Sequence, residues 1–203
     1  MLLRGIRSKP VYAPLAPDFA GRTHLLVGYG VGAEPFTRLL AECHQGGIHK
    51  ASCRLLYVMD ETTSTAMHNA MQNADVGETQ LFNDSAAALA QFETILESST
   101  MGTRLYVSGP EAFMGLVMRI AGRFNLNSDE IRAEECGSLA RRVHCIHCRV
   151  ATEQVTTNIV QCEGCQRWLV VRDHYSRRLA AYMGVMVDAE VRGELPPIEE
   201  VFI

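Results

Sequence analysis

Four cysteines in two short pairs, Cys145-x-x-Cys148 and Cys162-x-x-Cys165, constrain this chain more than any other feature. Two such pairs a short loop apart supply four soft thiolates, the donor set of a tetrahedral metal site. Two fillings suit that set. A zinc ribbon would use the ion in place of a core too small to hold itself together. A mononuclear iron in the same thiolates would be redox-active. An iron–sulfur cluster fits less well, because the plant-type C-x4-C-x2-C spacing is absent. His144 and His147 flank the first pair and are read as outer donors or basic surface rather than ligands. Cys43 and Cys53 stand alone and are read as buried small hydrophobes. Cys136 is read as a linker residue.

The pairs also divide the sequence. Residues 1–20 contain Pro10, Pro14 and Pro17 and read as an extended leader. Residues 21–136 alternate apolar runs with helical spacing. His24–Gly28, Arg54–Val58, Thr79–Phe82, Arg104–Ser108 and Ile131–Glu134 are the expected strands. Helices are expected from Pro35 to about Gln45, near 63–72, from Ser85 to Leu96 and from Pro110 to about Arg123, with Asp84 or Ser85 capping the third. Strand–helix alternation of this kind predicts an α/β fold with a doubly wound, parallel, five-stranded sheet. Residues 137–203 are read as a small domain in which the knuckles bracket a strand pair (Gln154 to Val160, then Trp168 to Arg172). A helix is expected from Asp173 to about Asp188, capped by Asp173 or Ser176. The end, Leu195 to Ile203, reads either as a docking peptide or as a tail packed on its own domain.

Charge adds one point. The net charge is −4, yet the basic residues are seventeen arginines and only Lys9 and Lys50. From Cys136 to Arg178 seven arginines face three acids, Glu153, Glu163 and Asp173. A basic stretch of this kind could bind nucleic acid or dock on an acidic protein surface. Arginine without lysine leans towards docking and buried ion pairs, since guanidinium groups make planar, two-pronged contacts with carboxylates. Arg172, Asp173, His174, Tyr175, Arg177 and Arg178, with Trp168 nearby, have the composition of a partner interface. The opening residues include Arg4 and Arg7 but no apolar stretch of a secretion signal, so a cytoplasmic location is expected.

Ligands on doubly wound sheets bind at the carboxyl ends of the strands. Gly28, Gly30 and Gly32 follow the first strand and Ser108, Gly109 and Pro110 end the fourth, so both turns are expected at that edge. Glycines between strand and helix let backbone approach a phosphate. Taken with Ile131 to Glu135, these segments resemble the nicotinamide-binding domain of ferredoxin reductase-like flavoproteins, which carry GGxGxTPF, CGPxxM and a strand ending in glutamate and an aromatic. The resemblance implies an NAD(P) site at Gly28, Gly30, Gly32, Ser108, Gly109 and Pro110. The departures are specific: Glu34 replaces threonine, Ser108 replaces cysteine, Cys136 replaces the aromatic, and Asp60 and Glu61 follow the second strand.

The second half carries a closer likeness. His144-Cys-Ile-His-Cys148, followed by Cys162 to Val185 with its run Arg172-Asp-His-Tyr-Ser-Arg-Arg-Leu179, resembles the DmmA subunit family of bacterial dimethylamine monooxygenase. That resemblance implies a subunit of a multicomponent, NAD(P)H-using oxygenase that demethylates dimethylamine to methylamine and formaldehyde. It implies partner subunits holding haem, flavin and iron–sulfur groups. It implies a zinc-binding, organising role here, with metal ligands Cys145, Cys148, Cys162 and Cys165 and no catalytic residue on this chain. The other reading is a redox component that binds NAD(P)H itself or passes electrons through a four-cysteine iron.

Overall fold

The structure is a computed structural model describing residues 8–203. The expected leader begins at Met1, and its first seven residues lie outside the described residues. The described chain forms two compact units, Tyr12–Gly137 and a second made of residues 8–11 with Ser138–Ile203. Among the described residues no helix is long and apolar enough to cross a membrane.

The first unit is built on five parallel strands: β1 (Thr23–Tyr29), β2 (Cys53–Val58), β3 (Glu78–Phe82), β4 (Thr103–Gly109) and β5 (Ile131–Glu135). Their order is β3-β2-β1-β4-β5. The central strands read as unbroken apolar runs because both faces are covered. On one face α1 (Ala33–Gln45) and α2 (Thr65–Gln72) bury Leu26, Leu55, Tyr57 and Tyr106. On the other, α3 (Ser85–Glu97) and α4 (Glu111–Arg123) bury Leu25, Val27, Leu56 and Val107. The sheet is therefore doubly wound, as the alternation predicts.

Helix starts follow local chemistry. The Asp84 carboxylate accepts from the Ala87 amide at 2.9 Å, and the Ser64 hydroxyl accepts from Met67 at 3.2 Å, so each satisfies an orphan donor of its first turn. Residues 12–20 have no regular structure but are tied to the sheet. Leu15 is buried, and Asp18 accepts from Arg104 at 2.8 Å and Arg132 at 3.2 Å. Burial works against that carboxylate, but the Ala20 amide and the Arg104 guanidinium still hold its pKa below the usual value.

The second unit is a five-stranded sheet: β6 (Arg141–Cys145), β7 (Ala151–Val155), β8 (Ile159–Gln161), β9 (Trp168–Ser176) and β10 (Ala181–Met186), in the order β7-β6-β10-β9-β8. The helix expected from Asp173 to Asp188 is absent. Those residues form the end of β9, a tight turn and β10, paired antiparallel. Val170, Val171, Tyr175, Tyr182 and Val185 supply the β-branched and aromatic side chains that suit a half-buried pleat. The two residues read as helix caps have other tasks. Asp173 pairs with Arg141 at 2.8 Å, and the Ser176 hydroxyl accepts from Leu179 within the turn. Ala180 closes the turn in the left-handed region, at φ +50°.

The tail packs on its own unit. The amides of Val201 and Phe202 both donate to the Thr156 carbonyl at 2.9 Å, and Asn158 holds Glu199 and Pro197. The Arg141 guanidinium lies between two rings, 3.9 Å from the centre of Tyr182 and 3.7 Å from that of Phe202. Arg141 is 8% exposed. A cation so far removed from water gains from two ring faces. Phe202→Ala uncovers one side of it and is expected to cost this unit about 1–2 kcal/mol, seen as a lower melting midpoint.

Candidate metal centre

The four cysteines come together at one end of the second sheet. Cys145 ends β6, Cys148 follows in a turn, Cys162 lies just past β8, and Cys165 follows in the matching turn. Their sulfurs all lie within 4.8 Å of one another. Cys145 and Cys165 are 3.8 Å apart, and Cys148 and Cys162 are 3.5 Å apart. A disulfide would need about 2.05 Å. A tetrahedron of thiolates about 2.3 Å from a central ion has edges of about 3.8 Å. The spacing therefore suits an ion at the centre and excludes cystines, so the cluster could hold a metal.

The two knuckles are the same device built twice. Cys145 and Cys162 accept, through their carbonyls, from Arg149 and Gln166, each at 2.9 Å. Their amides donate to Val150 and Arg167, each at 2.9 Å. The amides of Val150 and Arg167 in turn point at the sulfurs of Cys148 and Cys165. Arg149 and Gln166 are left-handed, at φ +66° and +59°, where glycine would be relaxed. That position could not be recognised from sequence, because neither knuckle places a glycine there. Gly164 in the second knuckle carries no local signal of its role either. A Cβ on it would lie 2.7 Å from Val150 and 3.0 Å from the Cys148 sulfur.

The field divides the thiols. The Arg167 amide and side chain pull the Cys165 thiol down to about 6, whereas the Val150 amide is outweighed at Cys148 by burial and by the neighbouring cysteine sulfurs, which push it up to about 11. Cys145 and Cys162 are fully buried, whereas Cys148 and Cys165 are partly exposed. Leu169 and Val160 pack against the sulfurs. Neither histidine belongs to the cluster. His144 points to the opposite side of β6 from Cys145, and His147 is exposed. Cys136 lies at the end of β5, 3.4 Å from the Ser108 hydroxyl.

The expected interface residues do not form one group, because a strand sends successive side chains to opposite faces. Tyr175 is buried, Asp173 serves Arg141, Arg172 lies beside Met183 across the sheet, and Arg177 and Arg178 are exposed in the turn.

The residues of the expected nucleotide site do meet at the carboxyl edge of the first sheet, where Gly28 pairs with Ser108 and Gly109 with Glu135. The space beside each glycine is filled by protein. A Cβ at Gly32 would lie 2.5 Å from the Ser108 carbonyl oxygen. At Gly28 it would meet the Phe36 ring at 2.5 Å. Gly30, at φ +53°, faces Thr62 and the Asp60 carboxylate, and the Tyr57 hydroxyl donates to its carbonyl. Glu34, Asp60, Glu61, Glu111, Glu134 and Glu135 stand at or beside this edge. Burial, then Asp60 and Glu61, raises the Tyr29 phenol pKa. Carboxylates occupy an edge where a pyrophosphate would need donors.

The comparisons with known proteins agree across both halves. Over 97 residues the chain is 35% identical to the heme-dependent oxidative N-demethylase delta subunit of Ectopseudomonas mendocina (strain ymp), covering 48% of this chain and 55% of that one. It is 24% identical over 125 residues to the carnitine monooxygenase reductase subunit of Acinetobacter baumannii, covering 62% of this chain and 38% of that one. The chain thus spans about half, or less, of the curated relatives it matches. Among solved structures, the ferredoxin reductase in carbazole 1,9a-dioxygenase is similar over 61% of this chain and 34% of that one, at 15% identity and a TM-score of 0.40. The family described as dimethylamine monooxygenase subunit DmmA-like matches twice, its N-terminal domain over residues 4–131 and its C-terminal domain over residues 142–185. With both domains matched in order along one sequence, the chain belongs to the dimethylamine monooxygenase subunit DmmA-like family.

Proposed function

We propose that this chain is a zinc-bearing auxiliary subunit of a multicomponent, NAD(P)H-dependent amine monooxygenase. Residues 21–136 serve as a reductase-derived scaffold and residues 137–203 as a zinc ribbon. The oxidation of dimethylamine to methylamine and formaldehyde belongs to partner subunits that hold haem, flavin and iron–sulfur groups. This chain orders them. The single observation that carries the reading is the four-sulfur cluster with tetrahedral edges on a small sheet. Cys145, Cys148, Cys162 and Cys165 would hold the ion, which supplies cross-linking of the two knuckles rather than chemistry on substrate. The filled glycine positions at the carboxyl edge support the scaffold reading over dinucleotide binding.

The test is metal content with a visible spectrum, on protein purified without added metal or chelator. One zinc per chain and a colourless solution are expected. One iron with thiolate charge-transfer colour would make the chain an electron carrier and overturn the auxiliary reading. Saturable NADPH binding by the isolated chain would overturn it from the other side.

A further inference from the structure

One face of the second sheet has arginines that the fold itself does not use. On β6 the side chains alternate: Arg141, Val143 and Cys145 are buried, while Arg142 and His144 are half-buried and Ile146 beyond them is exposed. Arg142 donates to the Leu179 carbonyl at 2.7 Å, which sets the turn carrying Arg178 beside this face. The first knuckle folds back through the 2.9 Å bond from Arg149 to Cys145, which brings Arg149 and Val150 to the same end. Arg142 and the first knuckle thus bring Arg178 and Arg149 towards the exposed side of β6.

The roles within this group differ. Arg142 is spent on Glu153, at 2.7 Å, and on the turn. Arg149 and Arg178 are exposed, and their guanidinium groups make no ion pair among the described residues. Two aliphatic residues of the same knuckle as Arg149 are exposed, Ile146 at 46% and Val150 at 40%. An apolar centre rimmed by unspent guanidinium groups is the anatomy of a protein interface. Arg149 adds a second argument. A long side chain sits at φ +66°, where glycine would cost less, so the backbone gains nothing from arginine there.

We infer that Arg149 and Arg178, around Ile146 and Val150, form a docking surface for a carboxylate-rich face of a partner protein. Guanidinium groups pair with carboxylates through two parallel bonds, and the aliphatic centre gives such a face something to exclude water against. The inference rests on the subunit reading above and names the surface through which that subunit would bind.

The experiment compares the full chain with the double variant Arg149→Gly, Arg178→Ser at about 150 mM salt, where long-range steering is screened. Glycine suits the left-handed position, so the variant is expected to melt at or above the wild-type temperature, and lost binding would not reflect unfolding. Three probes are titrated: the purified haem and reductase subunits of the amine monooxygenase, a fluorescent poly-L-glutamate peptide, and a short DNA duplex. The expected result is that the wild type binds the subunits and the variant binds them roughly tenfold more weakly or worse, with a shallower salt dependence. Equal binding of the subunits by both proteins would overturn the docking surface while leaving the subunit reading intact. Tighter binding of the duplex than of poly-L-glutamate would overturn it in favour of nucleic acid. Poly-L-glutamate bound by the wild type and lost in the variant, with no binding of the subunits, would keep the acidic-partner surface and overturn the subunit reading.

Discussion

Cys145→Ser is expected to abolish metal binding by the second unit and to loosen its knuckles, while the first unit keeps its own cooperative transition. The reason lies in what fills the metal end of the sheet. Its buried cluster consists of Cys145, Cys162 and Leu169, with Cys148, Val160 and Cys165 packed around them. Two of the three buried residues are therefore ligands, and little apolar surface is left to hold the knuckles once the ion is gone. Four-cysteine zinc sites in small domains contribute on the order of 10–16 kcal/mol of apparent binding free energy at neutral pH, and that energy is folding energy. A serine hydroxyl does not ionise at neutral pH, so the site loses a quarter of its charge as well as a ligand. The checks are metal content per chain, expected to fall from one to near zero, and exchange of the Val150 and Arg167 amides, expected to rise together. A Cys145→Ser protein that retains stoichiometric metal and slow exchange at both amides would contradict the four-thiolate reading. Thiolate ligation gives the direction with pH. Metal binding needs thiolate, so loading weakens as acid protonates the sulfurs and recovers towards neutrality.

The four-cysteine cluster was legible because Cys-x-x-Cys is a local pattern whose spacing alone brings two sulfurs together. The parallel sheet was legible for a similar reason. Strands covered on both faces carry continuous apolar runs, and β1, β2 and β4 do so at Leu25–Val27, Leu55–Val58 and Leu105–Val107. Residues 173–188 were not legible, because local signals there conflict. Asp173 and Ser176 are good helix caps, and Leu179, Ala180 and Ala181 are good helix formers. Tertiary partners decide otherwise. β10 lies between β6 and β9, and Arg141 from β6 takes the Asp173 carboxylate that would have capped a helix. The tail was ambiguous for the same reason, since Phe202 finds its place only against Arg141, sixty-one positions earlier. At the carboxyl edge the sequence located Gly28, Gly30 and Gly32 but not what they face. Whether a glycine makes room for a phosphate or for a neighbouring strand depends on contacts that no local pattern encodes.

Gly32→Ala separates those two roles of glycine, and we expect it to destabilise the first unit by about 3 kcal/mol, near the upper end for overpacking. Gly32 caps α1 where the helix passes the end of β4, and its φ of −59° is one that alanine adopts without strain. Conformation is therefore not the obstacle. The added methyl carbon would sit 2.5 Å from the Ser108 carbonyl oxygen, 2.8 Å from its carbon and 3.2 Å from the Gly109 nitrogen, all of them backbone atoms. Backbone cannot swing aside as a side-chain tip can. Ser108 is fully buried and held between β1 and β5, paired with Gly28 on one side and Glu134 on the other. Either α1 moves off the sheet, losing contacts of Phe36 and Leu39 with the core, or β4 shifts within it. A phosphate-cradling glycine gives a different signature, because its Cβ would point at ligand space and its replacement would leave the free protein's stability nearly unchanged. Urea denaturation of the metal-loaded chain, following the transition of the first unit, decides between them. A large drop in the midpoint with an unchanged slope is the packing result. An unchanged midpoint, with loss of NADPH binding that the wild type displays, would return these glycines to a dinucleotide site.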